Sequence, residues 1–194
     1  MSGQVHETLR PYGVEMKESY TYEDYSRLPE GVSCQLIGGE LIMTPSPGKR
    51  HQHILLELAI LFKAFLSVKD MGELAVAPRD VYLSPQETYQ PDILFIARER
   101  LEISAEDKVN GAPDLVVEIL SPSTAYYDLK KKFKAYEKYG VKEYWIVDPE
   151  DQSIEIFVLV EGKFKLAVRE ERTGEVASIQ LQGLSIELAN LFRE

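Results

Sequence analysis

Ala112-Pro113-Asp114-Leu115-Val116-Val117-Glu118-Ile119-Leu120-Ser121-Pro122-Ser123-Thr124 is the stretch from which the rest of the chain can be read. Leu115 to Leu120 is an apolar run with β-branched residues, bounded by prolines, which is the pattern of a buried strand. Glu118 interrupts it with a carboxylate. If both faces of the strand are covered, that carboxylate leaves water, and it must then be protonated, paired with a cation or bound to a metal. Ser121-Pro122 breaks the strand, and Ser123 or Thr124 can cap a helix after it. A carboxylate on a core strand that runs straight into a capped helix is a place to build a site.

The flanking sequence supplies elements to pack around this strand. Met1 to Ser19 has no clear period and reads as a loose arm. Thr21 caps a short helix that Pro29-Glu30-Gly31 ends. Gly38-Gly39, between Cys34 to Ile37 and Glu40 to Thr44, is a hairpin signal. From His51 the apolar residues Ile54, Leu55, Leu58, Leu61, Phe62 and Phe65 recur at helical spacing to about Val68. Leu74 to Leu83 reads as one strand and Ile93 to Ala97 as another. Ala125 to Tyr139 reads as the helix after the opening strand, stopped by Gly140, and Glu143 to Val147 as a further strand. Ser153 to Gln182 alternates like a β-meander, and Leu184 to Phe192 is a short helix or strand. The expected fold is α/β (α+β): a central mixed sheet flanked by helices, with an N-terminal hairpin and a C-terminal meander.

Composition narrows the function. The 194 residues suit one domain, 1–194, with a substantial core. A single cysteine, Cys34, excludes an internal disulfide and a cysteine-based zinc site, and it fits a cytoplasmic protein. No apolar run approaches the roughly 20 residues of a membrane span. The start, Met1 to Arg10, is polar and lacks the apolar core expected of a signal peptide. The net charge of −10 argues against a bulk electrostatic DNA binder, but an acidic cluster neutralised by a divalent metal remains compatible with it.

Two Pro-Asp pairs, Pro91-Asp92 and Pro113-Asp114, each open an apolar strand. Asp114 and Glu118 are four residues apart on one strand, roughly 13 Å, too far to share a metal whose oxygen ligands sit about 2.0–2.6 Å away. Asp92 opens a neighbouring strand and can come beside Glu118 across the sheet, so it is the better partner, while Asp114 orders a turn. The plainer alternatives are that both aspartates are turn residues and that Glu118 is a core carboxylate paired with Lys or Arg. On the next helix, Leu129, Phe133 and Tyr136 form the apolar side, and Lys132 borders it. Lys130, Lys131 and Lys134 look outward. Lys132 either stands beside the carboxylates or forms a surface pair with Asp128. His51, at a helix start, and Glu40, beside the Gly-Gly turn, are secondary candidates. Trp145 and Tyr144 are expected in the core.

An Asp after Pro on one strand, a Glu on the next and a nearby Lys resemble the PD-(D/E)XK nuclease superfamily. More closely, the chain resembles the Uma-two family of restriction-endonuclease-like proteins. The residues that carry this resemblance are Gly39-Glu40, His51, Pro91-Asp92, the long string from Pro113 to Thr124, Asp128, Lys132, Tyr136 and Glu143-Tyr144-Trp145-Ile146-Val147-Asp148. The superfamily's lysine normally stands two residues after the Glu, where this chain has Leu120, and the resemblance implies that its role has moved to Lys132. It further implies a restriction-endonuclease-like core and a homodimer acting on DNA, with Asp92 and Glu118 as ligands to Mg2+ or Mn2+ and Asp92, Glu118 and Lys132 as the catalytic set. A non-enzymatic DNA-binding or assembly module that keeps the fold is the alternative.

Overall fold

A computed structural model describes residues 17–122 and 125–193. The expected loose arm (1–19) and the capping residues Ser123 and Thr124 fall largely outside this range. A short helix α1 (Tyr22–Tyr25) begins at Thr21, whose hydroxyl and backbone N–H both engage the Asp24 carboxylate, and it ends before Pro29. β1 (Cys34–Ile37) and β2 (Glu40–Met43) pair antiparallel across Gly38 and Gly39. Both glycines have positive φ, 60° and 79°, which a two-residue turn of this hand requires. Helix α2 (Lys49–Ser67) follows and buries Ile54, Leu58 and Phe62.

The expected single strand over 74–83 is two strands in different sheets, β3 (Gly72–Val76) and β4 (Val81–Ser84). Pro78 lies in the break; it has no N–H to give to a ladder, so the chain leaves one sheet and enters the other there. After β5 (Glu87–Tyr89), β6 (Ile93–Ala97), a 3-10 segment (Arg98–Ile103) and β7 (Val109–Asn110) comes the central strand β8 (Leu115–Ile119). The chain next enters a wide π-helical turn (Tyr127–Lys132), then α3 (Phe133–Tyr139) and β9 (Glu143–Asp148). Only part of the expected meander forms. β10 (Ser153–Val160) and β11 (Lys163–Glu171) make a hairpin in the main sheet, while β12 (Glu175–Ala177) pairs with β13 (Ser185–Glu187) before a terminal helix α4 (Leu188–Leu191).

The main sheet runs β11-β10-β9-β8-β6-β3, with β8 and β9 parallel and the other pairs antiparallel. A second sheet, β2-β1-β5-β4-β7, stands beside it. β8 is buried along its length, and the two-residue period of a strand divides its side chains between two cores. Leu115, Val117 and Ile119 join Ile54, Leu58, Phe62 and Trp145 under α2. Val116 and Leu120 join Ala135, Tyr136 and Tyr144 on the other side, under α3. Glu118 belongs by period to this second row, so the strand's alternation delivers a carboxylate into an apolar layer.

Candidate functional site

Glu118 is 2% exposed, and both its oxygens are engaged. Lys132 Nζ donates to Oε2 at 2.8 Å, and the Tyr136 hydroxyl donates to Oε1 at 2.7 Å. Lys132 is itself 3% exposed and lies 2.9 Å from Asp128 Oδ1, in an ion contact that lacks hydrogen-bond geometry. The Asp128–Lys132 pair is therefore buried, and the surface pair weighed in the sequence is not what forms. One ammonium sits between two buried carboxylates from different elements.

The wide turn explains how three helix residues share this stripe. In an α-helix, residues four apart drift by about 40° around the axis. A π turn holds more residues, so the same step drifts about 30° the other way. The reversed step from Asp128 to Lys132 offsets the α-helical step from Lys132 to Tyr136, and all three side chains face β8. The same widening swings Leu129 outward. It is 44% exposed and does not belong to the buried face assigned to it from the sequence. The Tyr144 hydroxyl donates to the Asp128 carbonyl oxygen at 3.0 Å and ties the turn to β9.

Asp92 arrives from the neighbouring strand. β6 and β8 pair antiparallel with Ile93 opposite Val117, so Asp92 comes level with Glu118. Asp92 Oδ2 accepts the Ile119 N–H at 2.7 Å, and His51 Nε2 lies 3.3 Å from the same oxygen. His51 stands in the first turn of α2. Burial opposes a charge on its ring, but the Asp92 carboxylate outweighs this and raises its pKa. Asp92, Glu118, Asp128, Lys132 and His51 all line one cavity of about 480 Å3. Glu40, at the start of β2, is exposed and is not among its lining residues.

Electrostatics make the cavity floor short of positive charge. Burial pushes the Glu118 carboxyl up to about 8; Lys132 opposes this shift, while Asp128 and Asp92 add to it. Burial likewise works against the Lys132 ammonium, yet Glu118 and Asp128 hold its pKa above the ordinary lysine value. Tyr136 is raised well above the usual phenol value, chiefly by burial and then by Glu118, so it stays a donor. The donors present are carboxylate oxygens, the hard ligands that Mg2+ and Mn2+ take. Among the described residues no three of His, Cys, Asp and Glu form a metal-binding group. Two carboxylates with retained waters suit Mg2+, which is commonly bound that way. Asp92 and Glu118 are donors of that kind, level with each other on adjacent strands, with Asp128 on the other side of Lys132.

Asp114 is a different kind of residue. It is fully buried, receives the Ala97 N–H at 2.8 Å, and pairs with Arg100 at 2.9 Å and Lys142 at 2.7 Å. Burial raises its carboxyl, but Lys142, the Ala97 N–H and Arg100 prevail and lower it. This clamp fixes the entry to β8. Asp114→Asn leaves two cations facing a neutral amide, and we expect a loss of about 1–3 kcal/mol, read as a fall in Tm, with Mn2+ affinity unchanged. A large loss of Mn2+ affinity with an unchanged Tm would reverse the assignment. Tyr136 as a partner of Glu118 had only a weak signal in the sequence, its place four residues after Lys132. The pairing of Arg100 and Lys142 with Asp114 had none, because both contacts depend on the tertiary fold.

Comparison with known proteins bears on family and fold. The sequence model of the family Uma2, described as putative restriction endonuclease, matches residues 22–189. An uncharacterized protein of Synechocystis sp., sll1609, is 25% identical over 154 residues, covering 78% of this chain and 85% of that protein. The crystal structure of a putative nuclease belonging to DUF820 from Anabaena variabilis superposes with a TM-score of 0.74 at 20% identity, covering 89% of this chain and 97% of that one. At that identity the likeness is one of fold.

Proposed function

The chain belongs to the Uma2 family, described as putative restriction endonuclease, and from that membership and the cavity we propose that it is a metal-dependent endonuclease hydrolysing phosphodiester bonds in DNA. The observation that carries the reading is the buried Lys132–Glu118 contact, with Asp92 level with Glu118 on the adjacent strand. In this reading Asp92 and Glu118 hold Mg2+ or Mn2+, which supplies an activated water and offsets charge at the scissile phosphate. The chain's own residues prepare the ground. Tyr136 fixes one oxygen of Glu118, and His51 with the Ile119 N–H fixes Asp92. Lys132, 3% exposed at the cavity floor, presents a charge held by two carboxylates largely out of water, where it acts more strongly on developing negative charge than it would in solution.

The test is Mn2+ titration followed by cleavage of supercoiled plasmid. Wild type is expected to gain thermal stability with millimolar Mn2+, because the ion binds the folded state, and to nick the plasmid. Glu118→Gln and Asp92→Asn should both lose the Tm shift and the cleavage. An equal shift in wild type and Glu118→Gln would remove the shared-metal idea. The other reading, a DNA-binding or assembly module that keeps the fold, draws on the fact that Lys132 already offsets Glu118 and Asp128 without an ion. A wild type that neither shifts with Mn2+ nor cleaves would favour it. The homodimer suggested by the family resemblance is part of the proposal, and sedimentation checks it. The outward face of α2 offers an apolar strip for such a contact, with Leu56 58% and Ile60 52% exposed.

A further inference from the structure

The depth of the cavity bears on which nucleic acid can reach its floor. The side chains of Glu118 and Lys132 are each only 3% exposed and that of Asp128 2%, while Asp92 and His51, at 15% and 13%, lie nearer the mouth. A phosphate that meets Lys132 must therefore enter the cavity. Its volume of about 480 Å3 is that of a small-molecule site, within the roughly 300–1,000 Å3 typical of such sites and enough for about one nucleotide. A duplex carries each phosphate on a convex ridge, with the opposite strand across a groove roughly 6 or 12 Å wide. The walls leave little freedom to accommodate it. Pro45, Pro47, Pro78 and Pro122 line them, and proline fixes its own φ, so these segments are stiff.

Charge points the same way. Among the described residues Lys132 is the only Lys or Arg lining the cavity, so the cavity offers one cation to one phosphate and no basic track along the many phosphates of a duplex. Gln52, exposed at the cavity wall, is a neutral amide of the kind that can hydrogen-bond a base edge, whereas Gln35 Oε1 accepts the Gln90 N–H and the Gln90 amide donates to Tyr25 and Asp80. We infer that the site takes unpaired nucleotides, so that its substrate is single-stranded DNA or the unpaired part of a flap or frayed end rather than intact duplex. This inference rests on the endonuclease reading for its cleavage arm alone.

The experiment compares one oligonucleotide as a single strand, as a duplex with its complement, and as a duplex bearing an unpaired 5′ flap. Binding is read by fluorescence anisotropy in Ca2+ and cleavage in Mn2+. We expect the single strand to bind at least tenfold more tightly than the duplex, and single strand and flap to be cut at least tenfold faster in kcat/KM. Ser46→Trp, at the cavity wall and outside the catalytic set, should lower single-strand binding at least tenfold and leave duplex binding unchanged. Equal handling of single strand and duplex, or a preference for duplex, overturns the inference. If no DNA is cut, the endonuclease reading fails, and the anisotropy comparison still decides the question of unpaired nucleotides.

Discussion

Lys132→Met is expected to lower stability by about 3–5 kcal/mol, the usual consequence of removing one partner from a buried ion pair. For a chain of this size each kcal/mol moves Tm by roughly 2–4 °C, so the midpoint should fall by at least about 6 °C. The cause is specific. Lys132 Nζ is 2.8 Å from Glu118 and 2.9 Å from Asp128, and above about pH 8, where Glu118 is ionised, its removal leaves two carboxylates together with no cation in an apolar layer. Burial changes what this variant can tell. A lysine on the border of the helix could be removed without harm to folding; this one cannot. Cleavage by Lys132→Met must therefore be measured well below its lowered Tm, where we expect a loss of at least about 100-fold, in the range seen for a positioned charge acting in the transition state. Lys131 is exposed on the same turn, and Lys131→Ala should cause a mild, salt-sensitive loss only. Asp128→Asn added to Lys132→Met should recover part of the stability, because one of the two stranded charges is gone. A Lys132→Met protein within about 2 °C of wild type would mean that the ammonium does not hold this layer together.

How far the sequence revealed this arrangement depended on whether a signal was local. The Gly38-Gly39 hairpin, the α2 periodicity and the prolines around β8 are local, and each produced the element it promised. The placement of Asp92 level with Glu118 was also legible, since two Pro-Asp strand starts and one buried carboxylate leave few ways to align the strands. Three features were not. The break between β3 and β4 hinged on one proline inside an otherwise continuous β pattern. The π turn leaves no residue signature, yet it decides that Asp128 faces inward and Leu129 outward, against the α-helical spacing. The Arg100–Asp114–Lys142 clamp joins residues from three separate segments, and no local pattern announces it.

Glu118→Gln should remove a fall in stability that accompanies rising pH. In the unfolded chain a glutamate titrates near 4.5, whereas in the folded protein Glu118 titrates near 8. Between those values the folded state holds a proton that the unfolded state has released. Linkage then makes stability fall as pH rises through this window, by at most about 1.4 kcal/mol per pH unit. The groups around it explain the sign. Asp128 and Asp92 repel the carboxylate and burial penalises it, against the single attraction of Lys132. Tyr136 donates to it and remains protonated throughout. Glutamine does not titrate; it can turn its oxygen to Lys132 and its amide N–H to the Tyr136 oxygen. His51 adds a slope of the same sign, because its folded pKa is raised as well, but it is present in both proteins and cancels in their difference. Without divalent metal, the Tm of Glu118→Gln minus that of wild type should climb steadily from pH 5 to pH 8 and level off above it. Millimolar Mn2+ should shrink that difference at the alkaline end, since an ion that binds the ionised carboxylate stabilises wild type most where the proton is already lost. A difference that stays flat across the range would mean that Glu118 is ionised in the folded protein from pH 5 upward, with Lys132 alone sufficient to hold it.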